Sequence, residues 1–363
     1  MHLVIFGLSV TSSWGNGHAT LWRGLIRALG RRGARVTFYE KDVPWYRKTR
    51  DRNGIEGGTV VLYEDWADVR ATAAAELACA DAALVTSYCP DGMAASRLVS
   101  DAPALRVFYD LDTPVTLAHR ARGEPVDYLP PEGLGGFDLV LSYTGGGALE
   151  QLRVLLGARR TAPLYGHVDP HVHRPGRPRA AFAGELSYIG TYAADRQAAV
   201  ERLLVEPARR RPDKRFVIAG AQYPHEFPWT ANIHFVRHLP AQDHPDFYAS
   251  SRLTLNVTRR DMAAFGWCPS GRLFEAAACG ATIISDLWPG IADFLAPGEE
   301  LVGVSATGDV LAALDMSEAE RRRIAARARE RVLAEHTSER RADELAALLA
   351  AVRRPVPAPA LEA

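Results

Sequence analysis

Two rhythms of apolar residues alternate along this chain. Short runs rich in β-branched and aromatic residues read as buried strands. Longer stretches with apolar positions every three or four residues read as amphipathic helices. The first strand-like run is Leu3–Phe6. A helix is expected from about His18 to Leu29, with Leu21, Trp22, Leu25, Ile26 and Leu29 on one face, Gly30 and Gly33 ending it and a strand at Arg35–Tyr39 following. Further strand-like runs stand at Thr59–Leu62, Ala82–Thr86, Ala104–Tyr109 and Asp138–Ser142. Near residue 163 the pattern breaks into PLYGHVDPHVHRPGRPR, rich in Pro, Gly and His, which reads as a linker. A second series then begins, with strands expected at Leu186–Ile189, Phe216–Ala219, Ile233–Val236, Leu253–Val257 and Ala281–Ser285. Ser317 is placed to cap a charged helix over Glu318–His336, and another helix is expected from Ser338 to about Val352. Strand–helix alternation of this kind predicts parallel α/β domains. The reading is a first domain at 1–168, a linker at 169–180, a second domain at 181–336, a C-terminal helix at 337–352 and a flexible tail at 353–363.

Within the second series, FGWCPSGRLFEAAACGATIISD (Phe265–Asp286) reads as loop, short helix, stop and buried strand. Ser270 suits an N-cap and Gly280 a left-handed helix stop. Leu273, Phe274, Ala277 and Ala278 form an apolar face, while Gly271, Arg272, Glu275 and Cys279 fall on another side. Free amides at a helix start together with a Gly, an Arg and a Glu can receive an anionic ligand that also carries hydroxyls. A solvated Arg–Glu pair on an ordinary amphipathic helix has the same pattern.

The first strand is followed by GLSVTSSWGNG, then a helix. Loops at the carboxyl ends of strands are where open α/β sheets bind ligands. Ser13, Trp14, Gly15, Asn16 and Gly17 do not match GxGxxG, and no Walker lysine follows, so neither a dinucleotide cofactor nor an NTPase loop is supported. His18 opens the helix, where an imidazole can act as a base, bind an anion or merely hydrogen-bond the loop. At the end of a later strand, Asp110 and Asp112 lie two apart in YDLDTP. Asp112 can cap the helix begun by Thr113-Pro114, orient His18 or act as a base.

Composition narrows the field. Lys+Arg and Asp+Glu are 43 each, so there is no basic surplus to mark a nucleic-acid partner. The four cysteines form no CxxC pair, which argues against a zinc framework and fits a reducing cytosol. No apolar run approaches the ~18 residues of a membrane span, and Leu3–Phe6 is too short for a signal-peptide core. Contact with a membrane surface stays open. His167, His171 and His173 in the linker have metal-like spacing, but Pro170 and Pro175 break any helix between them, and no metal is expected.

The segments SGRLFEAAACGATIISD, VDPHVHRP, YIGTYAADRQ, TSSWGNGHAT and YDLDTPVTL resemble GT-B glycosyltransferases, most closely the CgeB-type, spore-maturation-like group. The resemblance covers nearly the whole chain. It implies two Rossmann-like domains facing across a cleft, the first taking the acceptor and the second the nucleotide-sugar donor, with no catalytic metal and no cofactor. By position, Glu275 looks like the glutamate that binds ribose hydroxyls. Ser270, Gly271 and Arg272 would lie by the diphosphate, as would the Gly190-Thr191-Tyr192 turn with Arg196. Arg259, which follows a strand expected in the same domain, is a further candidate for the diphosphate. Many relatives carry another glutamate eight positions before the ribose glutamate; here that position is Trp267, which leaves the stereochemistry open. The expected activity is transfer of a sugar to an acceptor in the cytosol. A sugar-nucleotide epimerase or hydrolase, and a non-catalytic nucleotide-binding module, are the alternatives.

Overall fold

The computed structural model describes residues 1–352, and the tail at 353–363 lies outside the described residues. The first sheet contains β1 (His2–Gly7), β2 (Arg35–Lys41), β3 (Thr59–Tyr63), β4 (Ala82–Thr86), β5 (Leu105–Asp110), β6 (Leu139–Ser142) and β7 (Thr161–Pro163), in the order 3-2-1-4-5-6-7. The second contains β8 (Gly184–Ile189), β9 (Phe216–Gly220), β10 (Ile233–Arg237), β11 (Ser251–Asn256), β12 (Ile283–Ser285) and β13 (Val302–Gly303), in the order 10-9-8-11-12-13. All pairings between these strands are parallel. β1 and β4 are buried along their whole length, as expected of strands covered by helices on both faces. The chain is therefore an α/β protein of two Rossmann-like domains, and both sheets reverse their strand order beside their first strand. Ligands bind at such switch points, outside the carboxyl ends of the strands.

Every strand expected from the sequence is present, with ends shifted by one or two residues. Two were missed. β7 and β13 are edge strands of three and two residues, too short to carry a periodic signal. The first helix runs Gly17–Arg31, so Gly30 does not end it. A Cβ at Gly30 would sit 2.6 Å from the backbone of Gly57, so this glycine permits a close approach of two chain segments. The stop falls to Gly33, whose φ is +76°.

The last helix, Ser338–Val352, crosses back to the first domain, where Ala342, Leu345, Leu349 and Val352 join the core around Leu25 and Leu29. The crossing is pinned at the linker. Val168 bridges Thr337, the Ser338 amide donates to the Val168 carbonyl at 2.8 Å, and the buried Arg341 guanidinium donates to the Gly166 carbonyl at 3.0 Å. His167 and His336 are buried beside Arg341, and burial followed by that positive charge pushes both imidazoles down to about 3. A group with a lowered pKa binds fewer protons in the folded state, so its contribution is complete above the ordinary 6.5 and erodes as pH falls toward 3. Stability should therefore drop by about 2 kcal/mol per histidine between pH 7 and pH 5. Denaturant midpoints measured across that range should show the slope, and the His167→Gln/His336→Gln double variant should lessen it, the lowered His173 and His18 keeping a part.

Candidate active site

The helix Gly271–Ala278 buries Leu273, Phe274, Ala277 and Ala278, as its apolar periodicity predicts. Ser270 caps it, its hydroxyl accepting the Arg272 amide at 3.3 Å. Glu275 is only 6% exposed, although the sequence places it on a polar side. Its carboxylate accepts a hydrogen bond from the Arg272 guanidinium at 3.1 Å, and Arg272 also donates to the Ile189 carbonyl at 3.3 Å. The pair therefore sits at the carboxyl end of β8, with Glu275 buried and Arg272 partly exposed. Burial pushes the Glu275 carboxyl up, but His173, Arg272 and His244 together outweigh it and hold the group well below the ordinary carboxylate range. His173 is itself pushed down to about 4 by burial, so at neutral pH Arg272 supplies the permanent charge.

Around this pair opens a cleft of about 290 Å³ lined from both domains. Gly190 and Thr191 contribute from the loop after β8 and Arg196 from the helix Ala194–Val200 that follows it, while Asn256 ends β11 and Thr258 and Arg259 lie in the loop after it. The two loops flank the switch point of the second sheet, and Asp286 holds the β11 loop by accepting the Thr258 amide at 3.0 Å. Arg196 donates to the Thr191 carbonyl at 2.6 Å, and Arg259 pairs with Asp195 at 3.0 Å. Tyr192 stands apart: its ring packs at 5.8 Å from Tyr223 and lines neither the cleft nor the smaller pocket beside it.

Gly15, Gly17 and His18 line the same cleft from the first domain. Their loop is shaped by Glu40, fully buried at the end of β2, whose carboxylate accepts hydrogen bonds from the amides of Val10 and Thr11 and the hydroxyls of Ser9 and Thr11 at 2.5–3.0 Å. The sequence analysis missed Glu40, because nothing local marks a carboxylate that serves a loop 30 residues earlier. Asn16 caps the first helix by accepting the His18 amide at 3.2 Å, and its carboxamide donates to the Ser9 and Ser12 carbonyls. Ser13 bonds Asp51 and lines the smaller pocket with Asn16. Trp14 leaves its own domain, stacking at 3.6 Å on His238 in the loop after β10.

Asp112 takes the N-cap position of the helix Thr113–Ala121, but its side chain makes no capping bond. Its carboxylate instead accepts the Tyr88 hydroxyl at 2.7 Å and lines the cleft with His18, whose ring lies 6.1 Å from that of Tyr88. Burial lowers the His18 pKa below its ordinary 6.5, and Asp112 partly restores it, so the imidazole is neutral at pH 7. Asp110 lies under the floor, where burial pushes its carboxyl up to about 6.

Trp267 packs rather than facing the cleft. Its φ is +41°, its indole N–H donates to Asp293 at 2.7 Å, and its ring lies where Cβ atoms on Gly146 and Gly290 would come within 2.6 Å. Since Gly146 belongs to the first domain, Trp267 rivets the two domains together. The linker histidines are not gathered: His167 meets Ser338, His171 meets Arg31, and His173 alone turns toward Glu275.

Residues 196–347 match a family model described as glycosyl transferase-like. Among solved structures, sucrose-phosphate synthase from Thermosynechococcus elongatus is similar with a TM-score of 0.70 at 15% identity, over 97% of this chain and 98% of that one. Anabaena HepE, solved with UDP and glucose, is similar with a TM-score of 0.65 at 14% identity, over 97% and 100%. An alpha-glucosyltransferase solved with UDP and a 13-mer DNA containing a HMU base is similar with a TM-score of 0.68 at 12% identity, over 96% and 99%. No curated protein matches the chain. At these identities the likeness shows the fold, and the family match covers less than half of the chain. Residues 196–347 are thus similar to glycosyl transferase-like proteins, and the whole chain has the two-domain fold of GT-B glycosyltransferases.

Proposed function

We propose that this chain moves a sugar from a nucleotide-diphosphate-sugar donor to an acceptor hydroxyl, without a catalytic metal. The observation that carries this reading is the pairing of a partly exposed Arg272 with a buried Glu275 at the start of a capped helix, facing a glycine loop of the other domain across one cleft. The helix amides and Arg272 suit a diphosphate, and Glu275, ionised and buried, suits a pair of ribose hydroxyls. Arg196 and Arg259 stand close enough to the same cavity to share the leaving charge. Such fixed cations do the work a metal would otherwise do. UDP or UDP-glucose occupies solved proteins of similar fold, which supports a uridine nucleotide as the first donor to try. The CgeB-like assignment rests on the segments named in the sequence analysis. Cytosolic residence is supported by four free cysteines, three of them buried.

On the acceptor side, His18 serves as the base or orienting group, with Asp112 beside it. Only the neutral imidazole can take a proton, so activity is full above the lowered His18 pKa and falls as the solution becomes more acidic than that value. His18→Gln should lower kcat/KM about 100-fold and remove the acid limb of the profile. A retained acid limb would assign it elsewhere. Incubation with nucleotide sugars, with and without an acceptor panel, tests the reaction class: acceptor-dependent release of nucleoside diphosphate is expected, whereas an epimerised donor in the absence of acceptor contradicts transfer.

A further inference from the structure

Glu275 has a second set of neighbours that donor binding does not use. His173 Nε2 lies 3.8 Å from one carboxylate oxygen, and His244 Nδ1 lies 3.5 Å from the other. All three residues are buried, and one ligand atom from each lies within 4.8 Å of the other two. Both ring nitrogens of His173, and Nδ1 of His244, have no hydrogen-bond partner. Buried polar atoms are almost always paired, and a group of them converging on one point calls for a ligand.

The chain holds these side chains rigidly. The segment carrying His173 is strapped onto the helix His244–Ala249: the Arg177 amide donates to Asp246 at 2.8 Å, the Arg179 amide donates to Ser250 at 2.8 Å, and Arg179 pairs with Asp246. A Cβ at Gly176 would fall 2.3 Å from the Pro245 backbone, so only glycine allows this approach. The two imidazoles are thereby fixed with centroids 5.6 Å apart.

We propose that His173, His244 and Glu275 form a binding site for a divalent transition metal of the Zn²⁺ type. Two imidazole nitrogens and one carboxylate oxygen suit such ions. A tetrahedral ion with bonds of about 2.1 Å sets its ligand atoms about 3.4 Å apart; here the nitrogens stand 3.8 Å from Oε1 and 3.5 Å from Oε2 of the carboxylate, and the three ligand atoms all fall within 4.8 Å of one another, so a small inward turn of the side chains closes the site. Cavities on either side are lined by His244 with Glu275 and by His173 with Glu275, which leaves a route for the ion and room for a further ligand. The metal is inhibitory: it takes the carboxylate assigned to ribose, so metal and nucleotide exclude each other, a consequence that rests on the proposed function whereas the metal site does not.

Co²⁺ titrated into the full-length protein tests the site. One equivalent should produce visible d–d bands of a low-coordinate site, displaced by Zn²⁺, and His173→Ala or His244→Ala should weaken the binding ~100-fold or more, at or beyond the upper end of what loss of a mere outer-shell partner costs. If either alanine variant folds poorly, His173→Gln and His244→Asn remove the same ligands at similar volume. Absence of Co²⁺ bands in the wild type, or binding unchanged in the folded variants, overturns the site. Calorimetry with UMP, chosen because it chelates metals less than a diphosphate, tests the exclusion. UMP binding that Zn²⁺ weakens supports it; UMP binding that Zn²⁺ leaves unchanged, with the bands present, overturns the shared carboxylate alone. Failure of UMP to bind at all counts against the nucleotide reading and leaves the metal result standing.

Discussion

Arg272→Ala should lower turnover about 100-fold or more while the protein stays folded. As diphosphate leaves a sugar, negative charge grows on its oxygens. A cation already aimed at that position stabilises the transition state more than the ground state, and therefore raises kcat as well as affinity. Arg272 is held for this by its bonds to Glu275 and to the Ile189 carbonyl. Its side chain remains 32% exposed, so removal leaves no cavity in the core. Arg272→Lys should recover only part of the loss, because an ammonium keeps the charge but not the forked donors. Release of nucleoside diphosphate, followed with a panel of donors, gives the measurement. Wild-type turnover in the alanine variant would remove Arg272 from the leaving-group site.

Glu275→Gln should act on affinity. The amide keeps the shape of the carboxylate but offers one acceptor oxygen and no charge. Hydrogen bonds to a charged group contribute about 1.5–3 kcal/mol, so nucleoside diphosphate should bind between about 10- and 100-fold more weakly by calorimetry. The group stays ionised well into the acid range, so the effect should be nearly constant across the pH values at which the protein is folded. Equal affinity in the variant would exclude ribose binding by Glu275.

Much of this site was legible before any coordinates. The Ser270 cap, the apolar stripe of the helix Gly271–Ala278 and the spacing of Arg272 and Glu275 are local features, fixed by residues within two turns of each other. The strands read well because burial on both faces demands continuous apolar runs. What could not be read depends on distant partners. Gly30 looked like a helix stop, because Gly57, the segment it lets approach, is far along the chain. Tyr192 looked like part of a phosphate loop, but Tyr223 draws its ring aside. Trp267 has a direction set by a left-handed backbone, which sequence pattern does not encode for a tryptophan. His244 and Glu40 carry no motif, and only the fold brings them to Glu275 and to the glycine loop.

The account turns on whether the cleft binds a nucleotide sugar through the Arg272–Glu275 pair. A thermal-shift screen of the full chain against nucleoside diphosphates and their sugars tests this most directly. Ligand at 100 times its Kd stabilises the native state by about 2.7 kcal/mol, enough to raise Tm by a few degrees. At least one nucleotide sugar should give that shift in the wild type and, at the same ligand concentration, no more than about half of that stabilisation in Glu275→Gln. No shift across the panel, or the same shift in both proteins, would contradict the account.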